Sequence, residues 1–116
     1  MKKILATILI IYSSSVFAQS NLVGIWETGE ENTNIEISEI EGRLSGILKS
    51  TDNKKAEIGR VILKDLEQKG SKWEGQIWAA RRQRWFDVLI TPTENLLELE
   101  IDAGFRTKSV EWKRQT

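Results

Sequence analysis

The chain has 116 residues, with 17 basic and 17 acidic side chains, no cysteine and no histidine. The missing cysteine and histidine exclude thiol nucleophiles, thiolate or histidine metal sites, and catalysis that depends on a histidine base. A chain of this length can build one hydrophobic core but not two.

The N-terminal segment has the pattern of a secretory signal peptide. Met1-Lys2-Lys3 is positively charged, residues 4–11 are mostly apolar, and Val16-Phe17-Ala18 places small residues where signal peptidase cleaves. The apolar run is shorter than the about 20 residues that a membrane-spanning helix needs, which argues against a retained anchor. We therefore expect residues 1–18 to be a cleaved signal peptide and residues 19–116 to be one exported domain, periplasmic or extracellular, without a stable membrane anchor.

Removal of the signal peptide changes the charge balance. Two lysines are lost and no acidic residue is lost, so the mature domain has a net charge of about −2. Nucleic-acid-binding domains usually carry a clear basic excess, and we therefore expect no nucleic-acid partner. Without disulfides, the exported domain must be stabilised by its core alone.

Short runs of alternating apolar and polar residues follow one another along the mature chain, and turn-forming residues separate them. No run is long enough to be the crossover helix that a parallel sheet requires. The predicted strands cover residues 24–28, 33–40, 43–49, 60–66, 72–80, 84–91, 97–102 and 107–114.

These eight strands predict an all-β fold. An antiparallel meander must bury one face and protect its two edge strands, and closure into a barrel achieves both. We expect an eight-stranded antiparallel up-and-down β-barrel of the lipocalin type, in which the first strand pairs with the last. A two-sheet sandwich is the alternative, although its Greek-key connections are usually longer than the turns seen here.

The two ends of the mature chain resemble those of lipocalin and avidin-like barrels. Gly24-Ile25-Trp26 opens the chain and Trp112-Lys113-Arg114 closes it. In such barrels the tryptophan closes one end of the core and a late arginine stacks on it. The resemblance implies that Trp26 and Trp112 are buried, and that a cation–π contact from Arg114 to Trp26 contributes about 0.5–2 kcal/mol.

A closer resemblance covers almost the whole mature chain. Its pieces are Gly24-Ile25-Trp26, Gly42-Arg43-Leu44-Ser45-Gly46-Ile47, Gly59 with Ile62, Leu63 and Leu66, Trp73-Glu74-Gly75-Gln76-Ile77, Leu97-Glu98-Leu99 and Trp112-Lys113-Arg114. In this order they resemble the secreted bacterial barrels of domain of unknown function family 2147. The chain departs from that family in the loop at Asp52-Asn53 and in the central hairpin, residues 79–85. The family implies a fold and export but no established activity, and these departures suggest a different ligand if the loops carry the function.

The tryptophans divide into two groups. Three of the five, Trp26, Trp73 and Trp112, are in step with the apolar residues of their strands, and we expect them in the core. The other two flank a basic turn, and arginine and tryptophan are frequent binding anchors for anionic partners. The predicted site is Trp78, Arg81, Arg82, Arg84 and Trp85, with Arg106 as a further cation, and its ligand would be a carboxylate, a phosphate or a sugar acid. The alternative is a solvated turn whose tryptophans pack across the strand pair.

The carboxylates do not predict a catalytic or metal site. Glu98, Glu100 and Asp102 alternate along one strand and are interpreted as its solvent face, so we expect no enzyme, no metal and no cofactor. Two hypotheses remain besides the disfavoured enzyme. The first is a binding module for a small anionic or amphipathic ligand, and the second is an interaction or inhibitor module that presents loops to an envelope protein. A barrel interior filled by Leu, Ile and Trp side chains would remove the first hypothesis, in which the ligand is held at the barrel mouth, and an exposed patch of aromatic and arginine side chains would favour the second.

Overall fold

The computed structural model describes residues 22–115, so the predicted signal peptide lies outside the described residues. Every regular element in that range is a β-strand. The strands are β1 (Gly24–Glu27), β2 (Asn34–Ile40), β3 (Arg43–Ser50), β4 (Val61–Lys69), β5 (Lys72–Ala79), β6 (Arg84–Pro92), β7 (Leu96–Asp102) and β8 (Thr107–Arg114). Each strand is antiparallel to the next and β1 pairs with β8, which closes the barrel. The predicted eight-stranded antiparallel barrel is confirmed. Within this range, no helix is long and apolar enough to cross a membrane.

The strand limits agree with the predicted ones to within one residue, except at the end of β4. This strand was expected to end at Leu66 and continues to Lys69. The reason is an irregularity in the β4–β5 pairing between Lys64 and Glu67, where Asp65 adopts a positive φ of 56°. Such a bulge inserts an extra residue and interrupts the alternation that marks a strand in the sequence.

Side chains from every strand fill the interior of the barrel. The most enclosed ones, with an exposed fraction of 0%, are Leu22, Trp26, Ile37, Leu63, Ile90, Leu97 and Leu99. A side chain with no accessible surface borders no void large enough for water. No polar or charged residue is buried in the part of the chain described. The centre of the barrel is therefore a packed core, as in other small eight-stranded barrels.

Trp26 closes the end of the barrel where β1 begins and β8 ends. Its indole Nε1 donates a hydrogen bond to the carbonyl oxygen of Leu22 at 2.9 Å. The guanidinium of Arg114 lies 4.3 Å from the centre of its ring. Trp112 is also buried, with 5% of its surface exposed. The predicted positions of all three residues, Trp26, Trp112 and Arg114, are confirmed.

Arg114 also requires a glycine at position 24. Gly24 has a φ of 146°, and a Cβ atom added there would lie 2.5 Å from Nη1 of Arg114. The same Nη1 donates to the carbonyl oxygen of Val23 at 3.0 Å, and Nε donates to that of Glu94 at 3.2 Å. The arginine thus joins the start of β1 to the turn between β6 and β7 while it covers the ring of Trp26.

Replacement of Arg114 by lysine tests whether this arrangement needs the planar guanidinium or only a positive charge. Lysine cannot stack flat on Trp26 and make both carbonyl contacts, so we expect a loss of about 1–2 kcal/mol in the free energy of unfolding, measured by urea denaturation. Lys113→Ala, at the exposed neighbouring position, is the control and should stay within about 0.5 kcal/mol of the parent. Equal stability of Arg114→Lys and the parent would mean that charge alone suffices.

Candidate functional site

The antiparallel order of the strands brings four connections to one end of the barrel, opposite Trp26. These connections are residues 28–33, 51–60, 80–83 and 103–106, and we call this end the loop end. Trp78 lies near the end of β5 and Trp85 near the start of β6, so both tryptophans belong to the upper part of the wall next to the loop end.

Trp78 and Trp85 form a pair on the outer face of the barrel. They are direct cross-strand partners in the β5–β6 ladder. Their neighbours Ile77 and Phe86 pack on the core, and side chains alternate between the faces of a strand, so both indoles point outward. The ring centres are 5.5 Å apart with the planes at 63°, an edge-to-face arrangement. Both side chains are half-buried.

The cations that cover these two rings come from β4 and the residue before it. The guanidinium of Arg60 lies 4.4 Å from the ring centre of Trp78, and Nζ of Lys64 lies 4.2 Å from that of Trp85. Cation–π contacts of this kind contribute about 0.5–1 kcal/mol each at exposed sites. Arg60 also pairs with Glu57 at 3.2 Å. Arg60, Lys64, Trp78 and Trp85 form what we call the outer-wall cluster.

The arginines that were predicted from the sequence lie at the loop end. Arg81 and Arg82 are exposed in the connection between β5 and β6, and Arg106 is exposed in the connection between β7 and β8. The guanidinium of Arg84 lies 5.3 Å from the ring centre of Phe86. The structure therefore brings together the two predicted tryptophans, but it adds Arg60 and Lys64, which the sequence analysis missed.

A polar row runs beside the tryptophan pair on the same outer face. Lys64 is the register partner of Gln76, and Gln76 is the partner of Asp87. The amide Nε2 of Gln76 donates to Oδ1 of Asp87 at 3.4 Å. Two aromatic rings thus stand next to an amide, a carboxylate and two cations, which together offer donors, acceptors and apolar faces.

The described carboxylates form no metal site. Across residues 22–115, no three acidic side chains come together in a way that could hold a metal ion. Glu98, Glu100 and Asp102 are exposed on the outer face of β7. These positions agree with the interpretation of that strand as a solvated face.

The fold and the outer-wall cluster define a class of protein, a small closed antiparallel barrel with a packed interior and an aromatic and basic patch on its outside. Comparison with family models, with curated proteins and with solved structures finds no match. The resemblance to domain of unknown function family 2147 and to lipocalin-like barrels therefore stays a hypothesis.

Proposed function

We propose that this chain is an exported binding module that holds an anionic ligand on the outside of the barrel, at the outer-wall cluster. The observation that carries the proposal is the position of Trp78 and Trp85, which are half-buried on the outer wall, each with a cation over its ring. The packed interior supports it as well. A small barrel can take a ligand in its lumen or on its surface, and the side chains at the centre of this lumen have no accessible surface.

Among anionic ligands, a sugar acid fits the cluster best. The rings of Trp78 and Trp85 offer apolar faces for the C–H groups of a sugar, and the cations complement a carboxylate. Gln76 and Asp87 in the adjacent row offer donors and acceptors for hydroxyl groups. The carboxylate of Asp87 repels every anion, but it repels a compact, doubly charged anion such as inorganic phosphate more strongly than the single carboxylate of a sugar acid.

A loop-mediated contact with an envelope protein is the second candidate. Phe105 at the tip of the β7–β8 connection is 78% exposed, and the exposed Arg106 follows it. Exposed aromatic and arginine side chains on loops are typical of protein interfaces. Such a partner would engage the loop end and leave the outer-wall cluster free. An enzymatic function has no support from a catalytic set in the sequence.

The test compares two double substitutions that change the net charge by the same amount. Arg60→Gln/Lys64→Gln removes the cations of the outer-wall cluster, and Arg81→Gln/Arg82→Gln removes two exposed cations from the adjacent turn. The probe is an oligogalacturonate, with the corresponding neutral oligosaccharide as reference, and binding is measured by calorimetry and tryptophan fluorescence. We expect the first variant to lose about tenfold or more in affinity and the second to lose little beyond a salt-dependent change.

Three results would contradict the proposal. Equal losses in both variants would mean unspecific attraction by net charge. A loss confined to Arg81→Gln/Arg82→Gln would move the ligand to the loop end. Equal affinity for the charged and neutral sugars would remove the role of the cations. Urea denaturation of each variant separates loss of binding from loss of the fold.

A further inference from the structure

The seam between β1 and β8 is paired over only part of its length. The two strands share two register pairs, Trp26 with Arg114 and Glu27 with Lys113. β1 ends at Glu27, the partner of Lys113, whereas β8 continues for six more residues toward the loop end, from Trp112 back to Thr107. Within residues 22–115, no strand pairs with this part of β8 on the side of β1. We call residues 107–111 the free edge.

The hydrogen bonds at the end of β8 identify which groups the free edge presents. The amide of Gln115 donates to the carbonyl oxygen of Ile25 on β1, and the amide of Arg114 donates to that of Asn95 toward β7, both at 2.9 Å. Successive residues of a strand direct their N–H and C=O groups to opposite sides. The N–H and C=O groups of the odd-numbered residues of β8 therefore point toward β1, and those of the even-numbered residues point toward β7.

By this alternation, Thr107, Ser109 and Glu111 direct their N–H and C=O groups to the side where β1 has already ended. Unpaired groups of this kind can accept an additional strand from another chain. A rise of about 3.4 Å per residue makes the free edge about 17 Å long, which matches an extended segment of about five residues. Ser109, Val110 and Glu111 also line, together with Glu98, a shallow surface depression of about 390 Å³.

The charges around the free edge are mostly negative. Glu98 and Glu111 are direct cross-strand partners on the outer face of β7 and β8, a like-charge pair that is unfavourable without a cation nearby. Two further carboxylates of β7, Glu100 and Asp102, are the cross-strand partners of Ser109 and Thr107. The basic residues of β8 itself are Lys108 and Lys113.

We propose that the free edge of β8 binds an extended cationic peptide segment as an added β-strand. The backbone groups of Thr107, Ser109 and Glu111 would hydrogen-bond the segment, and the surrounding carboxylates would select lysine or arginine side chains. This site lies on a different part of the barrel wall from the outer-wall cluster and takes a ligand of opposite charge. The proposal is therefore independent of the function proposed above, and a test of one does not decide the other.

Hydrogen exchange measured by NMR gives the first test, on the unmodified protein. In the free protein, the amides of Lys108 and Val110, which face β7, should exchange slowly, and those of Thr107, Ser109 and Glu111 should exchange fast. Addition of a short synthetic peptide of alternating lysine and valine should slow exchange at the three odd-numbered positions. A matched peptide of alternating glutamate and valine should not. If the lysine peptide leaves exchange at these three positions unchanged, the proposal is wrong.

Variants of the free edge give the second test. Ser109→Pro removes an amide that faces the gap and leaves the β7–β8 hydrogen bonds intact, and it should weaken peptide binding by about tenfold or more. Ser109→Ala keeps the amide and should bind like the parent. Glu98→Gln/Glu111→Gln leaves the backbone amides of the free edge in place, so it tests the charge selection even if the proline variant does not fold. This double variant should reduce both the affinity for the lysine peptide and the salt dependence of that affinity.

Two outcomes would overturn the assignment of the partner. If Ser109→Pro folds and binds the peptide as well as Ser109→Ala does, the peptide does not add to the edge. If slow exchange at Thr107, Ser109 and Glu111 appears without peptide as the protein concentration rises, the occupant of the edge is a second copy of this chain. Analytical ultracentrifugation at the same concentrations distinguishes that outcome from peptide binding.

Discussion

Replacement of Trp26 by alanine is expected to lower the free energy of unfolding by about 3–5 kcal/mol. Trp26 has no exposed surface, and alanine would leave a cavity at the closed end of the barrel. The substitution would also leave the carbonyl oxygen of Leu22 without its indole donor and Arg114 without the ring that it covers. Urea denaturation followed by circular dichroism measures the effect.

Two further variants make the Trp26 result interpretable. Trp26→Phe keeps an aromatic ring under Arg114 but loses the hydrogen bond to Leu22, and should cost less than Trp26→Ala. Trp78→Ala removes an equally large side chain from the outer wall, where it is half-buried, and should also cost less. If Trp26→Ala were no more damaging than Trp78→Ala, the interior of the barrel would not depend on Trp26. If Trp26→Ala does not fold at all, the phenylalanine variant still gives the comparison.

The barrel was predictable because its local signals agree with one another. The alternation in β7, where Leu97 and Leu99 are buried and Glu98 and Glu100 are exposed, needs no knowledge of the rest of the fold. The connections between the strands are short except for residues 51–60, and short connections force sequential antiparallel pairing. The same alternation placed Trp26 and Trp112 in the core.

The outer-wall cluster was only half predictable, because its cations depend on the bulge in β4. Lys69 pairs with Lys72 next to the β4–β5 turn, and counting back from that pair in a regular ladder would place Lys64 opposite Ile77, on the inner face. The irregularity between Lys64 and Glu67 shifts the register by one residue, so Lys64 pairs with Gln76 and points outward. A single sequence does not reveal a bulge at Asp65, since this residue carries no glycine signal for its positive φ.

The two proposed sites also differ in how the fold creates them. The outer-wall cluster results from side-chain chemistry, because it requires Trp78 and Trp85 to be partners and β4 to supply cations. The free edge results from backbone pairing, because β1 is four residues long and β8 is eight. A pattern of side chains can suggest the first, whereas the second depends on where one strand ends relative to another.

Replacement of Gly75 by alanine is expected to lower the free energy of unfolding by about 1–3 kcal/mol, because the bulge in β4 packs its backbone against this residue. A Cβ atom at Gly75 would lie 2.8 Å from the carbonyl oxygen of Lys64 and 3.3 Å from that of Asp65. It would also lie 2.5 Å from Cδ2 of Leu66. The side chain of Leu66 can move away, but the two carbonyls can move only if the β4–β5 pairing changes.

The side chain of Leu66 can move and the two carbonyls cannot without a change in pairing, so a second substitution at Leu66 shows which of these contacts requires glycine at position 75. Leu66→Ala added to Gly75→Ala should recover little stability, since the contacts with the carbonyls of Lys64 and Asp65 remain. Glu74→Ala, at the exposed neighbouring position on β5, is the control for a substitution in this strand and should stay within about 0.5 kcal/mol of the parent. Because the bulge also sets the outward direction of Lys64, Gly75→Ala should weaken its contact with Trp85 and change the tryptophan fluorescence. Full recovery of stability by the double variant would show that only the end of Leu66 obstructs a side chain at position 75, and the bulge would then not be what requires glycine there.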